Sequence, residues 1–470
     1  MKYVTFFTLI CVLLTFQFLP AQAPDTLWTR TFGGDSSDWI TDIQQTADGG
    51  YIITGRTESF GAGSNDVWLI KTDESGDTLW TRTYGGANYD EGSSVQQTTD
   101  GGYIVIGTFD FGAGNRDVWL IKTDASGDTL WTRTYGGANY DVGRSVQQTT
   151  DGGYIVASNT HFSNSTHFCL FKTDSTGDTL WTKIYDAGYN GGIGCLEHTN
   201  DGGYSLVGTL GGPYRAWLIK ADSEGDTSWT KIFDGSGWTS GESGQQTNDS
   251  GYVALAWDNN GLWLIKTDSS GDSIWTKSFG GYGGDIQQTT DGGYIITGST
   301  ESFGAGNMDV WLIKTDVSGD TLWTRTYGGE NDEWRSSVQQ TTDGGYIVAS
   351  NTASFGAGGW DGWLIKTAVD PTGYLIPKNK MLPIKYGLSQ NYPNPFNPTT
   401  TIAFDLPKSS EVTLKIFNIL GEEVATLISE GLPTGSYQYE WNASNLASGV
   451  YLYRLQAGDY VEAKKMVLMR

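Results

Sequence analysis

The feature that most constrains this chain is a unit of roughly fifty residues that occurs seven times in tandem. Each copy has a turn reading Asp-Gly-Gly-Tyr or a close variant, then a Trp-Leu-Ile-Lys segment, with Cys169 in the Trp slot of the third copy. In every copy but the last, a Leu-Trp-Thr segment or a close variant follows. Tandem repeats of this length are typical of solenoids, propellers and arrays. The turns begin at Asp48, Asp100, Asp151, Asp201, Asp249, Asp291 and Asp343.

Each unit predicts four short strands and no helix. In the second unit the expected strands are Ser93–Thr98, Tyr103–Thr108, Asp117–Thr123 and Thr129–Tyr135, separated by Gly-rich and Asp-rich turns. The third strand is apolar on both faces, which is typical of a strand covered on both sides. The second strand keeps a small residue at one slot, and we interpret it as crowding near a central axis. That slot holds Gly55, Gly107, Ser158, Gly208, Ala256, Gly298 and Ser350.

The ends of the repeat region predict how it closes. In the seventh unit the strand at 361–367 is followed by Ala368-Val369-Asp370-Pro371 and by no Leu-Trp-Thr segment. The missing segment stands before the first unit, at 26–32. An N-terminal strand that completes the last blade would remove an exposed sheet edge, whereas a linear solenoid would need capping units. We therefore predict an all-β fold in which residues 24–368 form a seven-bladed β-propeller closed by its N-terminal strand.

Residues 1–23 have the pattern of a secretory signal peptide. Lys2 precedes an apolar stretch over 4–19, and Ala21 and Ala23 offer cleavage sites. No later segment predicts a transmembrane span. Export would permit a disulfide between Cys169 and Cys195, but the two fall on different predicted blades, so we expect them to be small buried residues.

The net charge of the chain is −24. An acidic surface disfavours nucleic-acid binding, which needs a basic face, and it disfavours docking on anionic lipid. The charge is typical of a soluble exported protein, and it leaves capture of Ca²⁺ or of a cationic ligand open.

The pattern changes after a linker at 369–386. Residues 387–470 open with Asn391-Tyr392-Pro393-Asn394-Pro395-Phe396-Asn397-Pro398 and continue as alternating apolar segments. About seven short strands with this alternation predict a small immunoglobulin-like β-sandwich.

This C-terminal segment resembles the type A C-terminal sorting domain of the type IX secretion system. The resemblance rests on the Asn-Tyr-Pro-Asn-Pro-Phe-Asn-Pro opening, on Phe417-Asn418-Ile419-Leu420-Gly421, on Ala447-Ser448-Gly449-Val450-Tyr451, and on Lys464-Lys465-Met466 near the end. It implies recognition by the type IX machinery, passage across a Gram-negative outer membrane, removal of the domain, and release or attachment at the cell surface. The alternative is an ordinary immunoglobulin-like accessory domain. The seven units also resemble bacterial β-propeller repeats found with such tails, which implies a fold and no activity.

Catalytic and metal-binding motifs are absent from the sequence: it has no His-Glu-x-x-His, no Gly-x-Ser-x-Gly and no phosphate-binding glycine loop. His161, His167 and His198 cluster with the two cysteines, but strand alternation argues against a shared zinc site. Asp-rich turns such as 124–128 could offer oxygen ligands to Ca²⁺, although Asp and Ser form such turns unaided. We predict no metal site and no cofactor, with Ca²⁺ as an open possibility.

The longer loops are the expected place for a ligand, because they share one face of the propeller while the tight turns share the other. Each loop between units carries an aromatic residue, and aromatic rings near acids or amides suit sugar rings. The alternative is that these rings only pack the blade tops. Because units three to five diverge most, we add residues there, and the predicted ligand-binding residues are Trp39, Tyr89, Tyr140, Tyr189, Tyr214, Arg215, Trp238, Glu242 and Trp334.

These observations predict a secreted or surface-displayed, non-catalytic propeller that binds a glycan or a protein. The alternative is a secreted glycan hydrolase or lyase that uses loop carboxylates, since paired carboxylates leave no linear motif. A purely structural or adhesive surface protein is the third hypothesis.

Overall fold

The structure is a computed structural model that describes residues 23–110, 116–162, 165–189, 191–370, 385–408, 410–432, 435–443, 446–458 and 460–469. The predicted signal peptide up to residue 22 and most of the predicted linker lie outside the described residues. Within the described ranges the chain is built from strands and turns.

Seven four-stranded antiparallel sheets occupy residues 26–367. Six of them follow the chain order strand by strand, and we number the units by these sheets. Units 1 to 3 contain β2 Asp38–Gln45, β3 Tyr51–Thr57, β4 Asp66–Thr72 and β5 Thr78–Tyr84; β6 Glu91–Gln97, β7 Tyr103–Asp110, β8 Arg116–Thr123 and β9 Thr129–Tyr135; β10 Asp141–Gln148, β11 Tyr154–Phe162, β12 Ser165–Thr173 and β13 Thr179–Asp186. Units 4 to 6 contain β14 Gly192–His198, β15 Tyr204–Leu210, β16 Arg215–Ala221 and β17 Thr227–Phe233; β18 Ser240–Gln246, β19 Tyr252–Asp258, β20 Gly261–Thr267 and β21 Ser273–Ser278; β22 Ile286–Gln288, β23 Tyr294–Thr300, β24 Asp309–Thr315 and β25 Thr321–Tyr327.

The seventh sheet combines the two ends of this region. Unit 7 contains β26 Glu333–Gln340, β27 Tyr346–Thr352 and β28 Asp361–Thr367, and its fourth strand is β1 Thr26–Phe32 from the N-terminus. The two strands pair antiparallel, with Thr31 opposite Trp363. The predicted pairing of the N-terminal strand with the last unit is therefore confirmed.

The third strand is buried throughout its length in several units. Every residue of β4, β24 and β28 is buried, as the apolar pattern on both faces predicts. The Lys side chain at the end of this strand is buried in every unit but the third, where Lys172 is partly exposed, and in all seven units its Nζ contacts the Asp of the Asp-Gly-Gly turn. A Lys–Asp ion pair thus stabilises the tight-turn end of each unit. The pairs are Lys71–Asp48, Lys122–Asp100, Lys172–Asp151, Lys220–Asp201, Lys266–Asp249, Lys314–Asp291 and Lys366–Asp343.

The small residue in the second strand lies against the backbone of the first strand. A Cβ on Gly55 would lie 1.9 Å from the backbone oxygen of Trp39, on the neighbouring strand. The register of that strand shifts between Ile40 and Asp42 at a β-bulge. The residue at this slot is therefore small because the backbone of the first strand, next to its bulge, fills the space a side chain would need.

Consecutive sheets pack through one recurring aromatic contact and one recurring hydrogen bond. The Trp of each Leu-Trp-Thr strand meets the Tyr of the next Asp-Gly-Gly-Tyr turn at ring-centroid distances of 5.2–6.3 Å; the pairs are Trp28–Tyr51, Trp80–Tyr103, Trp131–Tyr154, Trp181–Tyr204, Trp229–Tyr252, Trp275–Tyr294 and Trp323–Tyr346. A Gln carbonyl oxygen on a first strand accepts the backbone N–H of the neighbouring first strand, as Gln44 does from Gln97. The last unit meets the first in the same two ways, because Trp28 in the seventh sheet contacts Tyr51 and Gln339 accepts from Gln45.

The C-terminal domain contains two sheets. One has the order β29 Gly387–Leu388, β30 Thr399–Leu406 and β33 Gly435–Asn442, and the other has the order β32 Glu423–Leu432, β31 Ser410–Phe417, β34 Gly449–Ala457 and β35 Tyr460–Leu468. Alternating side chains of both sheets form one apolar core that includes Phe404, Leu414 and Tyr453. The seven strands agree with the predicted sandwich.

The opening motif of this domain is fastened to its last strand. Phe396 is buried in the core, and its backbone exchanges hydrogen bonds with Val467 and Met469. The Asn394 side chain accepts a further bond from the Val467 backbone, at 2.9 Å. The two ends of the domain therefore form one structural element, which explains why distinctive residues stand at both ends.

Cys169 and Cys195 are free thiols, so the disulfide weighed from the sequence is not formed. Among the described residues there is no helix with the length and hydropathy of a membrane span.

Candidate ligand-binding site

A cavity of about 1070 Å³ lies where the first strands of the seven units meet, and it extends among the long loops. The bulges of the first strands line it, with side chains such as Thr41, Ser93, Arg144 and Glu242 at the bulged positions. A bulge turns one extra side chain of each strand toward the lumen, so its wall differs from unit to unit.

The structure brings six of the nine predicted residues into the lining of this cavity: Tyr89, Tyr140, Tyr214, Trp238, Glu242 and Trp334. The other three lie outside the lining. Trp39 stacks on Trp360, Tyr189 is exposed, and Arg215 lies 3.7 Å from Asp234.

One side of the mouth is an alternating row of rings and arginines. Arg56 lies over both Trp39 and Tyr89, and Arg116 lies over Tyr89 and Tyr140. Arg56 also forms a 2.7 Å ion pair with Glu91, which accepts a hydrogen bond from the Tyr89 hydroxyl. This aromatic–arginine row, from Trp39 to Tyr140, is rigid because each ring or guanidinium is held from two sides.

The opposite side carries a stacked pair with an open face. The rings of Tyr214 and Trp238 lie 4.1 Å apart and nearly parallel, and Trp238 is 54% exposed. Beside them Trp257 donates its indole N–H to Glu242 at 2.7 Å. A flat exposed indole beside a fixed carboxylate offers stacking and hydrogen bonding at one place.

Carboxylates from three units lie deeper in the cavity. Asp42 accepts bonds from the backbone N–H groups of Ile43 and Val95, and Asp285 accepts from the hydroxyls of Ser243 and Ser337. Burial raises the pKa of Asp42 to about 6, Asp285 adds to the rise, and the hydrogen bonds oppose it. These two acids tie neighbouring first strands together.

Glu197 is the third deep carboxylate, and Gln147 donates to it at 2.8 Å. Burial raises the pKa of Glu197 to about 7, with further repulsion from Asp285 and Asp42. Nearby, burial and these negative charges raise the pKa of the Cys195 thiol. The thiol therefore stays protonated at neutral pH, which is the opposite of an activated nucleophile.

Sequence reasoning missed several lining residues that depart from the repeat at fixed slots. Arg56 and Trp257 stand where the other units have Thr, Asn or Ser, and Glu197 stands where the other six have Gln. Asp42 and Asp285 replace the Ser or Cys of the other units. Aligning the units slot by slot would have identified them, because a departure at a lumen-facing slot changes the wall without changing the fold.

The positions weighed for metals have local partners instead. His161 contacts the Tyr140 backbone oxygen through Nδ1, and His198 packs on Tyr204. In the tight turns, Asp124 accepts the N–H groups of Ser126 and Asp128. In the part of the chain that the structure describes, no three His, Cys, Asp or Glu side chains are grouped to hold a metal ion.

Comparison with known proteins identifies the C-terminal segment. Residues 390–469 match the secretion system C-terminal sorting domain. No curated protein matches the chain at a significant level.

Similar solved structures share little sequence with this chain. A protein of unknown function from Bacteroides caccae is 13% identical, with a TM-score of 0.38 over 57% of this chain and 92% of its own. PorZ, a surface component of the type IX secretion system of Porphyromonas gingivalis, is 12% identical, with a TM-score of 0.46 over 93% of this chain and 60% of its own. The polysaccharide lyase Uly1 is 10% identical, with a TM-score of 0.45 over 75% of this chain and 100% of its own.

The sorting-domain match agrees with the resemblance seen in the opening motif and in the closing Lys-Lys-Met strand. This chain therefore carries a type IX secretion sorting domain at its C-terminus and is exported to the cell surface or the medium.

Proposed function

We propose that residues 24–368 form a closed seven-bladed β-propeller that binds a glycan, without catalysis, in the cavity on its long-loop face. Closure is supported by the last unit, which meets the first through the same Trp–Tyr and Gln contacts that join the other units. A closed ring gives the rigid frame that loop-borne recognition needs.

The observation that carries the binding proposal is the exposed Trp238 ring, stacked on Tyr214 at 4.1 Å beside the Trp257–Glu242 pair. A preformed aromatic platform costs little conformational entropy on binding, because its rings are already held. Across the cavity the aromatic–arginine row adds charged donors, which suits a glycan that carries carboxylate or sulfate groups.

The test is binding of the full chain to a glycan array that includes neutral and acidic polysaccharides, followed by calorimetry with the best glycan. Trp238→Ala should weaken binding by up to about tenfold, since an aromatic stacking contact contributes about 0.5–1.5 kcal/mol. Tyr189→Ala is the matched control, because Tyr189 is 62% exposed and lies outside the cavity lining. A flat array, or equal losses in both variants, would reject the proposal.

The second candidate is a secreted glycan hydrolase or lyase, and one observation favours it. Glu197 has a pKa raised to about 7 in the same cavity, which is the property of a carboxyl group that donates a proton at neutral pH. Release of new reducing ends from the bound glycan, abolished in Glu197→Gln with binding intact, would replace the non-catalytic proposal by this one.

A further inference from the structure

Four junctions between consecutive units hold a pair of carboxylates outside the cavity described above, and all of these residues except the half-buried Asp117 are buried. One acid begins the third strand of a unit and the other lies at or just before the first strand of the next unit. The two side chains converge on one glycine: a Cβ built on Gly328 would lie 1.7 Å from Asp309 Oδ1 and 2.4 Å from Glu333 Oε2. We call these the junction pairs; they are Asp361–Asp38 at Gly33, Asp66–Asp90 at Gly85, Asp117–Asp141 at Gly136 and Asp309–Glu333 at Gly328.

One oxygen of these pairs repeatedly lacks a donor. The second acid is satisfied, since Glu333 accepts from the Thr352 hydroxyl and from the Gly329 N–H. In two of the pairs, Oδ2 of the first acid is held by the glycine-rich loop: Asp309 Oδ2 accepts the Gly306 N–H and Asp66 Oδ2 accepts the Gly63 N–H. The Oδ1 atoms of Asp117, Asp309 and Asp361, however, are buried and accept no hydrogen bond. Asp309 and Asp361 are only 1% and 2% exposed.

Two buried carboxylates side by side are costly unless a positive charge or a proton lies between them. Burial raises the pKa of Asp361 to about 6, and the charge of Asp38 raises it further. Burial and the neighbouring Asp141 likewise raise the pKa of Asp117. No Lys or Arg side chain contacts a junction pair among the ion pairs of the described residues.

The chain contains its own control for what the pairs require. The four junctions that follow a Phe-Gly-Ala-Gly loop have both acids, and the three junctions without that loop have neither. The equivalent positions at those junctions are His167 and Gly191, Arg215 and Thr239, and Gly261 and Gly281. The loop and the two acids thus occur together or not at all, as parts of one site would.

We propose that each junction pair binds one Ca²⁺ ion between consecutive units. Carboxylate oxygens are ligands that hard divalent cations prefer, and the absence of His and Cys from the pairs disfavours softer metals. The two acids supply part of the coordination, and carbonyl oxygens and water supply the rest. The ion neutralises a buried charge and links neighbouring sheets, so the sites stabilise the repeat region.

The test is equilibrium dialysis of the full chain, stripped with EDTA, against radioactive calcium chloride. We expect about four ions per chain, with Kd in the submillimolar range typical of extracellular sites, and a rise in the unfolding temperature of about 5 °C or more. Magnesium chloride should compete weakly, because Mg²⁺ demands a smaller octahedral shell.

Variants locate the sites. The Asp361→Asn variant should bind one ion fewer and show a smaller rise in unfolding temperature with calcium. Asp66→Asn should have the same effect at another junction, and it tests the proposal if Asp361→Asn does not fold. Asp258→Asn is the matched control, since Asp258 is also buried but has both oxygens satisfied, by Ser236 N–H and Asn260 N–H. The proposal is overturned if the stripped protein binds no calcium at about 5 mM, well above the expected Kd. It is overturned equally if binding persists unchanged in both junction variants, or if only protonation below pH 6 stabilises the wild type.

Discussion

Single residues in this chain can be interpreted against six other copies of the same slot. Glu197 is the clearest case, because the other units place Gln there to link neighbouring first strands. The Glu carboxylate keeps an acceptor oxygen like that of the Gln amide. It lacks the N–H donor of the amide, and its charge lies near those of Asp42 and Asp285. The raised pKa of Glu197 shows that the folded protein disfavours the charged form of this side chain.

We expect Glu197→Gln to stabilise the protein at alkaline pH. The folded-state pKa of about 7 lies above the ordinary value of 4.5, so the folded state holds the proton more tightly. The free energy of unfolding therefore falls as pH rises from 4.5 to 7, and it stays low above that range. The variant escapes this loss and should be about 2 kcal/mol more stable than wild type at pH 8, and equal to it near pH 4. Urea unfolding across this range measures the difference.

The control for this prediction is Glu224→Gln, at an exposed turn position, which should follow wild type at every pH. If the Glu197→Gln curve runs parallel to that of wild type between pH 4 and 8, the charge at this slot does not affect folding.

Burial should decide how much each Lys–Asp ion pair contributes to the free energy of unfolding. The side chain of Lys314 is 1% exposed and lies 2.8 Å from Asp291, whereas Lys172 is 19% exposed beside an Asp151 that is half exposed. Lys314→Met should cost about 3 kcal/mol, because it leaves a largely buried carboxylate alone, and Lys172→Met should cost about 1 kcal/mol or less. Urea unfolding of both variants at pH 7 tests this order.

The same Lys–Asp ion pairs predict that the protein loses stability at acid pH. Lys172 and Thr149 lower the pKa of Asp151 to about 2, so this pair adds stability above about pH 4 that is lost as pH falls toward 2. The cost of Lys172→Met should therefore vanish near pH 2. A cost that is constant with pH would mean that Lys172 acts by packing alone.

At the scale of the element, the opening motif and the last strand of the sorting domain act together. Phe396 is buried against Trp441, and its backbone is hydrogen-bonded to the final strand β35. Residues that begin and end the domain are thus needed for the same core, although more than 70 residues separate them in sequence.

Phe396→Ala should therefore destabilise the whole C-terminal sandwich, by about 3–4 kcal/mol for a large side chain removed from a core. In a host with a type IX system, the exported fraction of the chain should fall. Limited proteolysis and a surface assay measure the two effects. Leu420→Ala is the control, because Leu420 is 77% exposed. Normal proteolytic resistance in Phe396→Ala would contradict the assigned role of the motif.

At the scale of the whole molecule, one strand joins the two ends of the repeat region. Without β1, the edge of strand β28 would be unpaired, and residues that are all buried in the structure would be exposed there. Such an edge recruits another chain or aggregates.

A chain that begins at Gly33 should therefore unfold at a lower temperature and associate with increasing concentration, as light scattering would detect. A synthetic peptide covering residues 24–34 should restore the monomer, because it supplies the missing strand in trans. A truncated chain that remains monomeric and equally stable would argue against both the role of β1 and the proposed closure.

The sequence by itself determined the strands, the seven units, the shared sheet of the two termini and the exported C-terminal domain. Each of these follows from local patterns: alternation, turn residues, a missing segment and a dense motif. Six of the predicted ligand-binding residues also line the cavity, because aromatic residues on long loops converge wherever the loops share a face.

Only the tertiary structure decided why the second strand has a small residue at one position and which acidic residues form the junction pairs. Gly55 is small because the Trp39 carbonyl of the neighbouring strand, close to the bulge of that strand, lies against it. Asp361 and Asp38 stand more than 300 residues apart in sequence, yet they lie against one glycine. Local pattern cannot report such contacts, since they depend on how one sheet packs on the next, and packing brings together residues that share no sequence neighbourhood.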